Sequence, residues 1–264
     1  MDTFYARTLT RLLNKGLLAR ESKILVVCGA TVDRDVFHQL GFLNVTISNL
    51  DVRLKGNEFK PYFWSFQDAE VLKFGDGEFD VVVEHQGLHH CCSPHRGLLE
   101  MFRVAQRMVV VFEPRDSFLV RLGVRLSFGQ EYEVAAVAGN GMRFGGVRNS
   151  PIPNYVYRWT EREVKKVIST FYPSGRSRLH FFYSLRVPEE RLKAMKNRLV
   201  AGCVRGLLPM LRLFTVLFPR QTNCFAFAVE KPELPRDLHP WLVMEDGLPA
   251  ISETWVRQHY GEFK

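Results

Sequence analysis

Residues 23–48 read KILVVCGATVDRDVFHQLGFLNVTIS, and the fold turns on this stretch. Lys23 to Cys28 is an apolar run too short for a helix and stopped by Gly29, which predicts a buried strand. Asp33 to Leu40 has helical character and is closed by Gly41. Asn44 to Ser48 predicts the next strand. A strand, a helix and a second strand in so short a span make a βαβ unit, and βαβ units build parallel sheets.

The pattern continues outward. Phe79 to Val83 predicts a strand, Pro94 to Ala105 a helix, and Met108 to Phe112 a strand stopped by Glu113-Pro114. On the amino-terminal side, residues 3–19 place Phe4, Leu9, Leu12, Leu13 and Leu17 near helical spacing, an amphipathic opening helix. Past Pro114 the texture changes. Residues 138–154 are rich in Gly, Asn and Pro and predict a loop lying over the site. Thr160-Glu-Arg-Glu163 is a capping box that opens a helix ending near Tyr172-Pro173. Arg178 to Arg186 and Cys224 to Glu230 predict two further strands, separated by a helical insertion at about residues 188–222. No repeat or linker divides the chain. The expectation is one domain over residues 1–232, with the Pro- and Trp-containing tail 233–264 packed on its surface.

With 264 residues, 46% of them hydrophobic, the chain can bury a core without disulfides or metals. The five cysteines, Cys28, Cys91, Cys92, Cys203 and Cys224, are odd in number and form no C-x-x-C. No secretory apolar segment opens the chain, so the reducing cytoplasm is its expected home. A net charge of +8 selects anionic partners: nucleic acid, nucleotide-linked substrates or the inner face of a membrane. Leu199 to Phe218 is apolar, but Arg205, Arg212, Gly202, Gly206 and Pro209 make it a poor membrane span.

In an open parallel sheet, ligands sit beyond the carboxyl ends of the strands. The residues in those places are Cys28, Gly29, Ala30 and Thr31 after the first strand, Asn49, Leu50 and Asp51 after the second, and Glu84 to His90 after Val83; Asp68-Ala69 lies in an intervening loop. Small residues in the first turn let a ligand approach the backbone, and a following helix offers free N–H groups.

At this point a resemblance emerges. Asp68-Ala-Glu-Val-Leu-Lys-Phe-Gly-Asp-Gly-Glu-Phe-Asp80, followed by Val-Val-Val83, resembles the D-A-x-x-L-P-F-x-D-x-S-F-D-x-V segment of class I S-adenosylmethionine-dependent methyltransferases, small-molecule branch. Leu88-His-His90 and Leu98-Leu-Glu-Met-Phe-Arg-Val104 resemble that branch's loop after the fourth strand and its L-x-E-x-x-R-V helix. The likeness covers residues 20–120 and, by element order, the last two strands. It implies a Rossmann-like, doubly wound, mostly parallel seven-stranded α/β sheet, here with a helical insertion between the last two strands. It also implies S-adenosyl-L-methionine as cofactor. Cys28, Gly29 and Ala30 would form the turn beneath it; Asn49, Leu50 and Asp51 hold the ribose position; Asp68 matches the acid on the adenine amino group; Ala69 supplies a backbone N–H; Glu84 and His85 cup the methionine portion. The departure is at the first turn, where the family has an acid and three spaced glycines and this chain keeps only Gly29.

Methyl transfer to an oxygen often needs a base, and His89 and His90 lie where one would sit. The alternative for either is a loop histidine that shapes the site. A metal held by His89, His90, Cys91, Cys92 and His95 is disfavoured, because adjacent ligands in one cluster point different ways; no metal is expected, and the two cysteines read as packing residues. Tyr155, Tyr157, Arg158 and Trp159 anchor onto the core or form a substrate wall, with Tyr155 and Arg158 as candidates and Arg158 pairing an acidic group such as phosphate. The insertion sets Arg191, Lys193, Lys196, Arg198, Arg205, Arg212 and Arg220 among leucines and phenylalanines. It reads either as a cap on the core or on a second copy, giving a homodimer, or as a peripheral element at a membrane surface.

The function expected is transfer of a methyl group to an oxygen or carbon of a small or saccharide-type acceptor, acidic or sugar-linked. Two alternatives stand beside it: a degenerate binding protein of the same fold, suggested by the eroded glycine turn, and an RNA methyltransferase. Nucleic acid is disfavoured as substrate because the chain has neither [D/N/S]-P-P-[Y/F/W] nor a Pro-Cys pair.

Overall fold

The computed structural model describes residues 3–187 and 198–261. Its centre is a seven-stranded sheet of order β3-β2-β1-β4-β5-β7-β6. These strands are β1 (Lys23–Val27), β2 (Asn44–Asn49), β3 (Phe63–Phe66), β4 (Phe79–His85), β5 (Ala105–Pro114), β6 (Arg178–Ser184) and β7 (Cys224–Glu230). The first five are parallel, with Val26 of β1 registered against Ile47 on one side and Val83 on the other. β7 runs antiparallel between β5 and β6.

The central strands are apolar on both faces because helices cover both faces. On one side α1 (Phe4–Asn14) and α2 (Thr31–Gln39) bring Leu9, Leu12, Val36 and Phe37 onto Ile24, Val26, Val83 and Val110. On the other, α3 (Pro94–Val104) and α6 (Glu161–Phe171) bring Leu98, Met101, Phe102, Val164 and Ile168 onto Leu25, Val82 and Val109. Half of the expected capping box is present: Thr160 Oγ1 accepts the Glu163 N–H at 3.3 Å, and the Glu163 carboxylate meets His95 and Tyr157 instead. This is the doubly wound architecture expected. Strand order reverses between β1 and β4, which puts the ligand crevice at their carboxyl ends.

Several elements differ from the sequence reading. The opening helix stops at Asn14, since Lys15 caps it and Gly16 turns into the left-handed region at φ 68°. The edge strand β3 follows Pro61 and leaves Phe63 exposed, so it shows neither a buried run nor alternation. Residues 118–139 hold two short helices, α4 (Phe118–Arg125) and α5 (Val134–Gly139). In the insertion, α7 (Arg198–Leu217) is helical, and residues 188–197, with Arg191, Lys193 and Lys196, lie outside the described residues. The tail forms a hairpin, β8 (Leu242–Glu245) with β9 (Leu248–Ile251), and a last helix α8 (Glu253–Tyr260).

Candidate active site

The turn after β1 is built for close approach. Cys28 has φ 56°, and the Gly29 N–H donates to Ser48 O at 2.7 Å. A Cβ on Gly29 would lie 2.6 Å from Ile47 Cγ2, so only glycine fits. The Ala30 N–H donates to Asp33 Oδ2 at 2.7 Å, which fixes the start of α2. Cys28 is a packing residue as well. Its thiol is shifted well upward by the neighbouring Cys91 thiol and by burial, so it is no nucleophile.

Beyond β2, the structure separates the two ribose candidates. Asn49 Nδ2 donates to Gly29 O and its Oδ1 accepts the Asp51 N–H, both at 2.9 Å, so this side chain is committed to the turn. Asp51 pairs with Arg53 at 2.6 Å, and that hydrogen bond holds its carboxyl below the usual range. Leu50 sits between them, half-buried. Asp68 accepts the Glu70 N–H at 3.0 Å and pairs with Arg148 at 2.5 Å; Ala69 beside it is buried. Both partner arrangements involve the glycine-rich loop. Arg148 belongs to it, Arg53 stacks over Phe144 at 4.2 Å and bonds Asn140 at 3.2 Å, and Asn149 reaches Asp51. The loop therefore closes over the two acids, as the sequence reading placed it.

The end of β4 divides its polar residues between the two faces of the sheet. Glu84 is fully buried, accepts the Leu88 N–H at 3.1 Å and the Gly87 N–H, and leaves Oε2 without a partner. Burial, then the charge of Glu113, push its pKa well up. A Cβ on Gly87 would meet Cys28 Cβ at 2.3 Å, which shows how tightly the β4 turn closes on the β1 turn. His85 points to the opposite face, stacked on Tyr5 at 4.2 Å between α1 and the sheet. Burial drives it down to about 4 and raises nearby Asp33 to about 6.

His89 and His90 share the short 3-10 turn Leu88–His90 but differ in chemistry. His89 is buried. Its Nδ1 lies 2.7 Å from Glu113 Oε2 and its Nε2 3.3 Å from Glu133 Oε2. Burial opposes the charge, but Glu113 and then Glu133 overcome it, and the pKa reaches about 10. His89 is an imidazolium at neutral pH. His90, 29% exposed, has Nε2 3.4 Å from the same Glu133 oxygen, and burial together with the His89 charge lowers its pKa. His90 is neutral at neutral pH. Glu133 is ionised, since the His89 contact outweighs its burial.

These two imidazoles and Glu133 each present a donor atom within 4.8 Å of the others. Adjacency in sequence thus does not make the histidines diverge: both Nε2 atoms approach one carboxylate oxygen. The other members of the cluster lie elsewhere. His95 pairs with Glu163 at 2.9 Å, and the Cys92 and Ser93 N–H groups donate to Glu70 at 2.9 Å at the start of α3.

Tyr155 and Arg158 line one cleft of about 630 Å³ together with Tyr157, Arg121, Arg125 and Glu163. Arg158 is held by Val156 O at 2.9 Å and Gln130 O at 2.5 Å. Trp159, by contrast, is wholly buried and is an anchor. His89, His90 and Glu133 are not among the residues lining this cleft; the Glu133 N–H donates to Asn154 O, next to Tyr155, at 2.9 Å. Sequence reading missed Glu113 and Glu133. Glu113 could have been found by its place at the end of a strand, whereas Glu133 lies in a stretch with no periodic signal.

Residues 36–111 match the family model described as a methyltransferase domain. No curated protein matches the chain. Among solved structures, a putative methyltransferase from Bacillus halodurans aligns with TM-score 0.52 at 15% identity, over 86% of this chain and 100% of that one. The YcgJ protein from Bacillus subtilis aligns with TM-score 0.52 at 11% identity, over 86% and 99%. Magnesium protoporphyrin IX methyltransferase from Synechocystis, solved with bound SAH, aligns with TM-score 0.50 at 11% identity, over 86% and 82%. At these identities the likeness is one of fold.

Proposed function

We propose that this chain, a class I S-adenosylmethionine-dependent methyltransferase, transfers the methyl group to an oxygen of a small acceptor bearing an acidic or sugar-linked group. The observation that carries the reading is the asymmetry of the two histidines. A general base must be neutral at working pH, and His90 is neutral and partly open while His89 is charged and closed in.

The residues at the strand ends fit the cofactor. Gly29 permits close backbone approach, and Asp51 and Asp68 are acids at the positions that the family resemblance gives to ribose and adenine, with Arg148 on the Asp68 oxygen in this structure. When bound there, S-adenosylmethionine supplies an electrophilic methyl on a sulfonium. The protein's own residues do the rest. His90 takes the acceptor's hydroxyl proton on the ring nitrogen that keeps its lone pair. Glu133, 3.4 Å from His90 Nε2, stabilises through its charge the imidazolium that results. His89, gripped between Glu113 and Glu133, fixes the position of Glu133. Arg158, immobilised by two carbonyls, and Tyr155 offer the cleft an anchor for the acceptor's acidic group.

The test is SAH release with a panel of phenols, hydroxy acids and sugar phosphates, using His90→Ala and Arg158→Ala. His90→Ala should lower kcat by roughly 100-fold while SAH affinity holds. Arg158→Ala should raise KM for anionic acceptors and spare neutral ones. Wild-type turnover in His90→Ala would remove it as the base.

A further inference from the structure

Helix α7 turns the wrong way for a helix that merely covers a core. Leu208, Leu211 and Thr215, at helical spacing, are its half-buried and buried positions and face the body of the protein. The remaining arc is apolar and open: Leu207, Met210, Leu213, Val216 and Leu217 are each more than half exposed. Arg205 and Arg212, seven residues apart, sit together on one border of that arc.

Helix α4 repeats the arrangement independently. None of its residues is buried. Phe118 and Leu122, with Leu126 at its carboxyl end, form an exposed stripe at a spacing of four, and Arg121 and Arg125 run alongside. The start of α4 is tied to the 3-10 turn Pro219–Gln221 that follows α7: Ser117 Oγ donates to Gln221 O at 3.3 Å and the Leu119 N–H donates to Gln221 Oε1 at 3.4 Å. Neither helix contains an acidic residue.

We propose that α4 and α7 together form a docking surface for a lipid bilayer bearing anionic headgroups, with α7 lying in the plane of the interface. An apolar arc immersed at the acyl boundary and arginines at its edge is the arrangement of an interfacial helix, and an arginine stem can lie along apolar surface while its head meets phosphate. Spanning is excluded for the described residues, because no helix there is long and apolar enough to cross a membrane. Self-association is the competing occupant. It is disfavoured by charge: Arg121 is paired with Asp116, but a two-fold contact between identical faces sets Arg205 and Arg212 against their copies, and neither helix carries an acid of its own. Anionic lipid supplies the missing charge.

The docking face lies at the working end of the sheet. α7 connects Ser184 to Cys224, and Cys224 is registered against Pro114 at the carboxyl end of β5, the end at which the crevice opens. Arg121 and Arg125 also line the cleft. Docking therefore sets the mouth of the cleft at headgroup level, whichever acceptor it takes.

Vesicle sedimentation of the full chain tests this, with phosphatidylcholine vesicles against vesicles that also contain phosphatidylglycerol. The protein should pellet with the anionic vesicles at low salt and be released as salt rises. Arg205→Glu combined with Arg212→Glu, both exposed and outside the catalytic cluster, should lower partitioning at least tenfold with SAH affinity unchanged. Leu213→Glu should do the same through the apolar arc. Failure to pellet with anionic vesicles overturns the proposal, as does equal pelleting with both vesicle types. A dimer in light scattering that Leu213→Glu converts to monomer also overturns it, by showing that a second copy covers the face.

Discussion

Two neighbouring histidines titrate in opposite directions because Glu113 hydrogen-bonds His89, whereas burial and the charge of His89 prevail at His90. The consequence for stability has a definite sign. His89 has its pKa raised from the ordinary value of 6.5 to about 10, so the folded chain holds a proton there that the unfolded chain releases. That contribution is complete below about pH 6.5 and is lost as pH rises toward 10. Urea unfolding should therefore show stability falling by up to about 1.4 kcal/mol per pH unit across the window from roughly pH 7 to pH 9. His89→Gln should flatten the slope; a wild type equally stable at both ends would mean the ring is not held charged. The same proton bears on metals. With an imidazolium between Glu113 and Glu133, dialysis against a chelator should leave turnover intact. Loss of activity that zinc or manganese restores would give His89, His90 and Glu133 to an ion instead.

At the scale of elements, the glycine-rich loop decides how the crevice opens. Its Arg148 takes the Asp68 oxygen that the adenine amino group would need. Asp68→Ala should weaken SAH binding about tenfold or more, the worth of a charged hydrogen bond of about 1.5–3 kcal/mol. Arg148→Ala should strengthen it, since a competitor is gone; a weaker complex would instead show the arginine touching the cofactor. Both are read by calorimetric titration. The elements differ in how visible they are in sequence. β1, β4 and β5 are covered on two faces, so their valine runs announce themselves, and the expected seven-stranded sheet follows. β3 is a half-open edge, and α4 exposes its apolar stripe, so neither has the pattern that burial imposes. The candidate site divides in the same way. Asp68, His89 and His90 stand in or beside a recognisable segment, while Glu133 joins the two histidines only by folding across from a stretch far along the chain. Asn49 and His85 lie at the right strand ends, but their side chains are engaged in the β1 turn and the α1 packing layer. Position along a strand is legible; side-chain commitment is a property of packing.

The whole molecule has a polarity set by its sheet. At the carboxyl ends of β1, β4 and β5 lie the crevice, the glycine-rich loop, the cluster of His89, His90 and Glu133, and the arginine-bearing helices. β7 runs against β5, so its own end, Glu230, is registered against Met108 near the start of β5 and against Arg178 of β6. The tail therefore leaves the sheet at the end opposite the crevice. Its attachment to the body comes early: the Arg176 N–H donates to Asp237 O at 2.8 Å, and Arg178 pairs with Asp237 at 3.2 Å. Past that point Trp241, Trp255 and His259 stack mainly on one another, with Trp255 and His259 at 3.9 Å and the two tryptophans at 5.9 Å. A self-packed segment at the far end of the sheet contributes nothing to a ligand at the near end. Ending the chain at residue 239 should consequently leave SAH affinity within about twofold, because every residue assigned to the crevice and every tie through Asp237 remains. Thermal unfolding should fall by only a few degrees, as expected when a unit with few contacts to the core is removed. If the shortened chain folds, by circular dichroism, yet no longer binds SAH, the tail reaches the crevice and the polarity argued here is wrong.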